Sequence, residues 1–395
     1  MTSIPFQVDP AEVGMSAEHL RYADELMERQ FAEGRSPILA AVVARHGKVV
    51  FAKTLGQQRP GGRPLAIDDV FPLASNGKPL TAATLLALVE RGLVGLTEPV
   101  VDYLPELSVN DNSEVLVHHL LTHTSGWDSA DMDASLAAGV AAGVSEPPPG
   151  RDWLEHLFLE TAWAVPRSRT AGELMQYAGC NYTFLSEIIR RVTGGTLDAA
   201  MRRYLLEPVG MSDTAVIVPD ELVPRVVERP DGIPLAPGHP DTVLPVYHPL
   251  VFGCDDGGAT VHSTVLDYLR FLEMIRNGGM VGTTRVLCAD SIRVMTTNQI
   301  PGVAAAIVGF TLDEASWGYG FGVGGAAPIA GWRGGTTSRG SLRHGGAGGI
   351  AAWVDPVLGI SAVYHELVTD QGGGGRPSSW AAHRFEDVVS AAVVD

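Results

Sequence analysis

Leu20, Ala23, Leu26, Met27 and Phe31 recur at the three-to-four-residue spacing of one helix face. Ser16 stands where an N-cap belongs and Gly34 where the helix would stop, so the first predicted element is a helix between them. The pattern then changes. ILAAVVAR (38–45) and VVFAKTL (49–55) are short apolar runs, and His46-Gly47 between them is a hairpin signal. The far end of the chain behaves alike: GIAAWVDP (349–356) and GISAVYHEL (359–367) predict two more strands, and a helix follows from about Ser378 to Val393. Between about residues 80 and 300 the periodicity is mostly helical, as in TAATLLALVERG (81–92), EVLVHHLLTHTSG (114–126) and TVLDYLRFLEMIRNGG (264–279).

Strands at both termini with helices between them predict an α+β architecture. One antiparallel sheet would be built from residues 1–80 and 300–395, with a mostly helical domain inserted at 81–299. Two segments read as surface loops, 128–152 with Pro147-Pro148-Pro149-Gly150 and the proline-rich 224–250. No internal repeat appears at solenoid periods.

Composition narrows the function. At 395 residues, with 45% hydrophobic and 18% charged, the chain can bury a large core and is not disordered. Acidic residues outnumber basic ones by 45 to 28, and the net charge of −17 repels phosphate backbones and anionic lipid. Neither a nucleic acid nor a membrane is therefore an expected partner. Cys180, Cys254 and Cys288 are too few for a disulfide framework or a cysteine-rich zinc site. The opening MTSIPFQVDPAEVGM has no basic, apolar leader pattern, and no window approaches the ~18 apolar residues of a membrane span, so a cytoplasmic location is expected.

Only three of the 28 basic residues are lysines, Lys48, Lys53 and Lys78. Lys78 stands in FPLASNGKPLTAATLLALVERG (71–92), three residues after Ser75 at the start of an apolar helix. That spacing puts both side chains on one face, and Pro79 is tolerated only within the first turn. A serine hydroxyl is a weak nucleophile until a base takes its proton, and a lysine against apolar walls supplies one. The same pair also reads as a serine cap followed by a lysine that snorkels to solvent.

The longer segment FPLASNGKPLTAATLLALVERGLVGLTEPVVDYLPEL (71–107) resembles the serine-lysine region of the class C β-lactamase and penicillin-binding-protein superfamily, and most closely its esterase branch. The likeness continues through HHLLTHTSGW (118–127), LLEPVGMSDTAV (205–216), GGATVHSTVLDYLRFLEMIRNGG (257–279) and HGGAGGIAAWVDPVLGISAV (344–363). The resemblance implies a serine acyl-enzyme in which Tyr177, in MQYAGCNYTFLSEIIRRVTGG (175–195), acts with Lys78 as general base to Ser75. It also implies an oxyanion hole from the backbone N–H groups of Ser75 and Ala347, and substrate contacts at His344, Gly345, Gly346 and Asn181.

Two departures stand out. Gly179 replaces the family's asparagine after the tyrosine, and His344-Gly345-Gly346 replaces its Lys-Thr-Gly, which disfavours β-lactams and peptides as substrates. Bland readings remain beside these roles, a half-buried tyrosine bonded to backbone for Tyr177 and a satisfied surface histidine for His344.

No cofactor and no metal are expected. His119 and His123 lie four apart but lack the intervening glutamate of a His-Glu-x-x-His protease, and His365-Glu366 is followed by Thr369 where the second histidine should be. Gly320-x-Gly322-x-x-Gly325 has no βαβ context, and Gly143-Val144-Ser145 continues into Glu146-Pro147 rather than a nucleophile elbow. Three functional readings follow: a hydrolase acting on carboxylic esters or amides, an acyltransferase passing the acyl group to an amine or alcohol, and a binding module that no longer catalyses. In the first two the partner is a small-molecule acyl substrate.

Overall fold

The computed structural model of the chain describes residues 7–143, 153–228, 261–307, 310–325, 335–346, 349–366 and 382–394. The elements that frame the site are α1 (Ala17–Ala32), β1 (Ile38–Arg45), β2 (Lys48–Gly56), α2 (Gly77–Val89), α3 (Cys180–Thr193), α4 (Val265–Arg276), β3 (Gly322–Val323), β4 (Leu342–Gly346), β5 (Ile350–Asp355), β6 (Ile360–Glu366) and α5 (Ala382–Ala391). Ser16 caps α1 as its spacing predicts, its hydroxyl accepting the His19 N–H.

Six strands form one antiparallel sheet in the order β3-β4-β5-β6-β1-β2. The β1–β2 turn has φ of 50° at His46 and 80° at Gly47, the left-handed pair that a tight hairpin matching strand twist requires. β1 then pairs with β6 from Leu39↔Glu366 to Arg45↔Ile360, which joins the two ends of the chain. The α+β sheet expected from both termini is thus present.

β1 shows no polar alternation because both of its faces are covered. Ala40, Val42 and Ala44 enter the core shared with α2 and α4, whereas Leu39, Ala41 and Val43 pack with Leu20, Leu26, Phe385 and Val389 of α1 and α5. α4, from the middle of the chain, supplies Tyr268, Phe271 and Leu272 to the first of these cores. α2 is buried from Gly77 through Leu88, so it has no solvent face and must be stabilised by packing on every side.

Two expectations are corrected. The run 114–126 is helical only over Val117–Leu121, because the chain turns at His123, whose φ is 57°, to meet the segment around Tyr177. The segment 128–152 contains a helix, Ser129–Ala142, capped by the Asp128 carboxylate accepting the Ala130 N–H. The proline run weighed there, 147–149, lies outside the described residues, as do 229–250 of the other expected loop; Val223–Arg225 is a 3-10 turn. Among the described residues no helix is long and apolar enough to cross a membrane.

Candidate active site

Ser75 is presented by a short strand and a tight turn. Phe71–Pro72 pairs with His262–Ser263, and the Leu73 N–H donates to Val261 O at 2.8 Å. A 3-10 turn, Ala74–Asn76, then leads into α2. Ala74 holds a φ of 47°, a left-handed conformation that costs a residue with a Cβ about 1 kcal/mol or more. The turn is clamped from α4, where the buried Tyr268 hydroxyl donates to Asn76 O at 2.9 Å. Ser75 lies in the first turn of the helical segment, where a helix leaves backbone N–H groups without an intrahelical acceptor.

Lys78 is wholly buried, which rules out the snorkelling alternative. Its Nζ donates to Ser75 Oγ at 3.2 Å and lies 5.4 Å from the centroid of the Tyr177 ring and 5.7 Å from that of Tyr182. Tyr177 follows a two-residue strand, Met175–Gln176, that pairs in parallel with Ala305–Ile307, and its own N–H reaches Ala306 O at 3.4 Å. Residues roughly one hundred positions apart thus converge on one amine.

β4 forms the opposite wall. Its pairing with β3 involves only Leu342 and Arg343, so the outer side of His344, Gly345 and Gly346 faces no strand among the described residues. A Cβ on Gly346 would sit 2.7 Å from Leu73 O and 3.3 Å from Ala74 Cβ, so this strand lies directly against the turn that carries Ser75. Ala347, the second expected oxyanion donor, is outside the described residues.

His344 is 1% exposed, which excludes the surface reading, and its ring centroid is 6.1 Å from that of Tyr177 and 5.8 Å from that of Trp317. Burial, with the Lys78 charge adding to it, pushes its pKa down to about 3. His123 is held well below the usual histidine range for the same two reasons. Both imidazoles are neutral beside Lys78 at neutral pH.

Asn181 lies elsewhere than expected for a substrate contact. It is fully buried, accepting the Ser125 hydroxyl at 2.6 Å and bearing on His123 Nδ1 at 3.3 Å. Its amide supports the wall behind Tyr177. Of the histidines considered for metal, His119 Nδ1 accepts the Leu116 N–H at 3.0 Å, and among the described residues no cluster of metal-ligating side chains occurs. Gly320, with φ 86°, brings its backbone against Pro79 at the start of α2; a Cβ there would lie 2.9 Å from Pro79 Cα. Spacing does not single out Trp317, whose indole meets His123, Tyr177 and His344 edge-on, nor Tyr268; both act through contacts between distant segments.

The chain matches the Beta-lactamase family over residues 22–386. It is 32% identical over 380 residues to esterase EstB of Burkholderia gladioli, covering 90% of this chain and 92% of that one. Its fold is similar to that of simvastatin synthase LovD from Aspergillus terreus, with a TM-score of 0.70 at 18% identity over 95% and 99% of the two chains. It is likewise similar to that of EstCE1, described as a hydrolase with promiscuous acyltransferase activity, with a TM-score of 0.70 at 20% identity over 95% and 98%.

Proposed function

The chain belongs to the beta-lactamase family and is an enzyme of the serine hydrolase and acyltransferase kind, and from that membership we propose that it hydrolyses small, uncharged carboxylic esters through Ser75, Lys78 and Tyr177. The observation that carries this reading is the buried Lys78 amine 3.2 Å from Ser75 Oγ with the Tyr177 ring against it.

In the first step Ser75 Oγ bonds to the ester carbonyl carbon while its proton passes to Tyr177, whose oxygen Lys78 keeps receptive. The Ser75 N–H and, by the family's pattern, the Ala347 N–H hold the oxyanion; one such donor is worth about 3 kcal/mol. The carbon–oxygen bond to the leaving alcohol breaks, and Tyr177 returns the proton to that alcohol. Water then adds to the acyl carbon by the same proton route and frees Ser75.

The substrate class follows from β4. A lysine at the position of His344 would attract a substrate carboxylate, whereas a buried imidazole titrating near 3 stays neutral and does not. Neutral acyl groups are favoured over β-lactams, in line with the esterase name of the relative that this chain matches over 92% of its length. Three cysteines are too few for a disulfide framework, which fits a reducing compartment, so the proposed location is the cytoplasm.

Intact-mass measurement after exposure to an activated acyl ester tests the nucleophile. A single acyl adduct on the native chain and none on Ser75→Ala is the expected result; an adduct that persists on Ser75→Ala refutes the assignment. Adding amines or alcohols in competition with water then separates hydrolysis from transfer. Water as the dominant acceptor supports the esterase reading, and preferential acyl transfer overturns it in favour of a transferase.

A further inference from the structure

His123 stands outside the Ser75–Lys78–Tyr177 group yet fastens the chain on both sides of Tyr177. Its carbonyl accepts the Gln176 N–H at 2.8 Å. Its Nδ1 lies 3.3 Å from Ala178 N and 3.1 Å from Ala178 O, so it holds Ala178 whichever ring nitrogen carries the proton. The ring face lies on Tyr177, with centroids 4.4 Å apart and planes 35° from parallel, while Tyr182 and Trp317 close round it at 5.2 and 5.6 Å. Nε2 is buried with no hydrogen-bond partner among the described residues, so the hold works through the ring face and Nδ1.

The backbone departs from its preferred region to allow this. With φ at 57°, His123 leaves the short helix before it and turns both carbonyl and ring toward one strand. Ser125 and Asn181 then brace the ring from behind, through the 2.6 Å and 3.3 Å contacts. Two polar groups and a strained turn converge on the neighbours of Tyr177.

We propose that His123 is the positioning residue of Tyr177, fixing the phenol at the distance from Lys78 and Ser75 that proton transfer requires. This inference rests on the proposed role of Tyr177. His123 forms no bond to substrate and exchanges no proton in it.

The test is a double-mutant cycle read by kcat and KM on a p-nitrophenyl ester, with thermal melting to establish folding. His123→Phe keeps the ring face and loses Nδ1; His123→Asn keeps a polar atom near Nδ1 and tolerates the left-handed backbone. Each is placed in the native chain and in Tyr177→Phe. In the native chain both variants are expected to lower kcat on the order of 10²-fold, the cost of a misplaced reacting group, with KM nearly unchanged. In Tyr177→Phe the same substitutions are expected to change kcat by no more than about twofold, the additivity error of independent sites. An equal fall in both backgrounds, or none in the native chain, overturns the proposal. Should His123→Phe fail to melt cooperatively, His123→Asn carries the same reading alone. Full activity in Tyr177→Phe by itself removes the Tyr177 assignment, and this inference with it, and so is distinguishable from failure of the cycle.

Discussion

Gly346 and Gly345 are neighbours on β4, yet a methyl group should be tolerated at only one of them. A Cβ on Gly346 would lie 2.7 Å from Leu73 O and 3.3 Å from both Ala74 Cβ and Ile350 Cβ. Leu73 and Ala74 are backbone of the turn that carries Ser75, so no flexible side chain can move aside. Relaxing 2.7 Å to the 3.4 Å at which ordinary contact begins requires the strand and turn to part by about 0.7 Å. A displacement approaching ~1 Å at a reacting group costs on the order of 10²-fold in rate. The overpacking itself costs about 1–3 kcal/mol of stability. Gly346→Ala is therefore expected to fold, with a lower urea midpoint, and to lose about 10²-fold in the burst rate of p-nitrophenol release. On Gly345 the added Cβ meets, among the described residues, only Ile350 O at 3.6 Å. Gly345→Ala is expected to keep its stability within about 0.5 kcal/mol. Native burst kinetics in Gly346→Ala would show that β4 does not set the geometry of the Ser75 turn.

Tyr268→Phe removes the hydroxyl that clamps Asn76 O and leaves that carbonyl without its donor in a buried site. A loss of about 1–3 kcal/mol in denaturant unfolding is expected, together with a lower acylation rate, and unchanged stability would contradict the clamp. Acid should destabilise the fold through its buried histidines. His344 and His365 both titrate near 3 because burial disfavours their charged forms. Their folded pKa values lie below the ordinary value near 6.5, so the unfolded chain takes up protons first as pH falls. Stability is complete above about pH 6.5 and is lost as pH falls toward 3, by about 2 kcal/mol per histidine at pH 5. Melting temperatures measured from pH 7 to pH 5 should fall accordingly, and a flat profile would mean that these rings are hydrated.

The sheet was legible because its signals are local. An apolar run ending in a turn pair with φ of 50° and 80° is a hairpin wherever it sits, and strand-like runs at both termini leave few ways to pair them. The lone lysine in an apolar helix start was legible for a similar reason, since i to i+3 spacing sets the distance between Ser75 and Lys78 without help from tertiary structure. The helix Ser129–Ala142 was obscured by the prolines that follow it, although the Asp128 cap was a usable signal. Asn181 was placed by its position after Gly179, but the side chain turns inward because Ser125 and His123 both present it with partners.

Tertiary structure supplies what spacing cannot. Ala74 and His123 both hold positive φ without being glycine, Ala74 beside Ser75 and His123 stacked on Tyr177. Local preference opposes both conformations, so neither can be read from propensity. Contacts from far along the chain hold the segments around them: Val261 O and the Tyr268 hydroxyl at the Ser75 turn, Gln176 N–H and Ala178 at His123. Those partners lie from about 50 to about 190 positions away in sequence. Two of the four non-glycine residues with positive φ among the described residues thus lie beside Ser75 and Tyr177, the others being His46 and Asp111, and those two are restrained from separate segments. A single serine-lysine spacing was enough to suggest the nucleophile. The reactivity proposed for Ser75 calls on a phenol and a strand edge that only the assembled core brings to it.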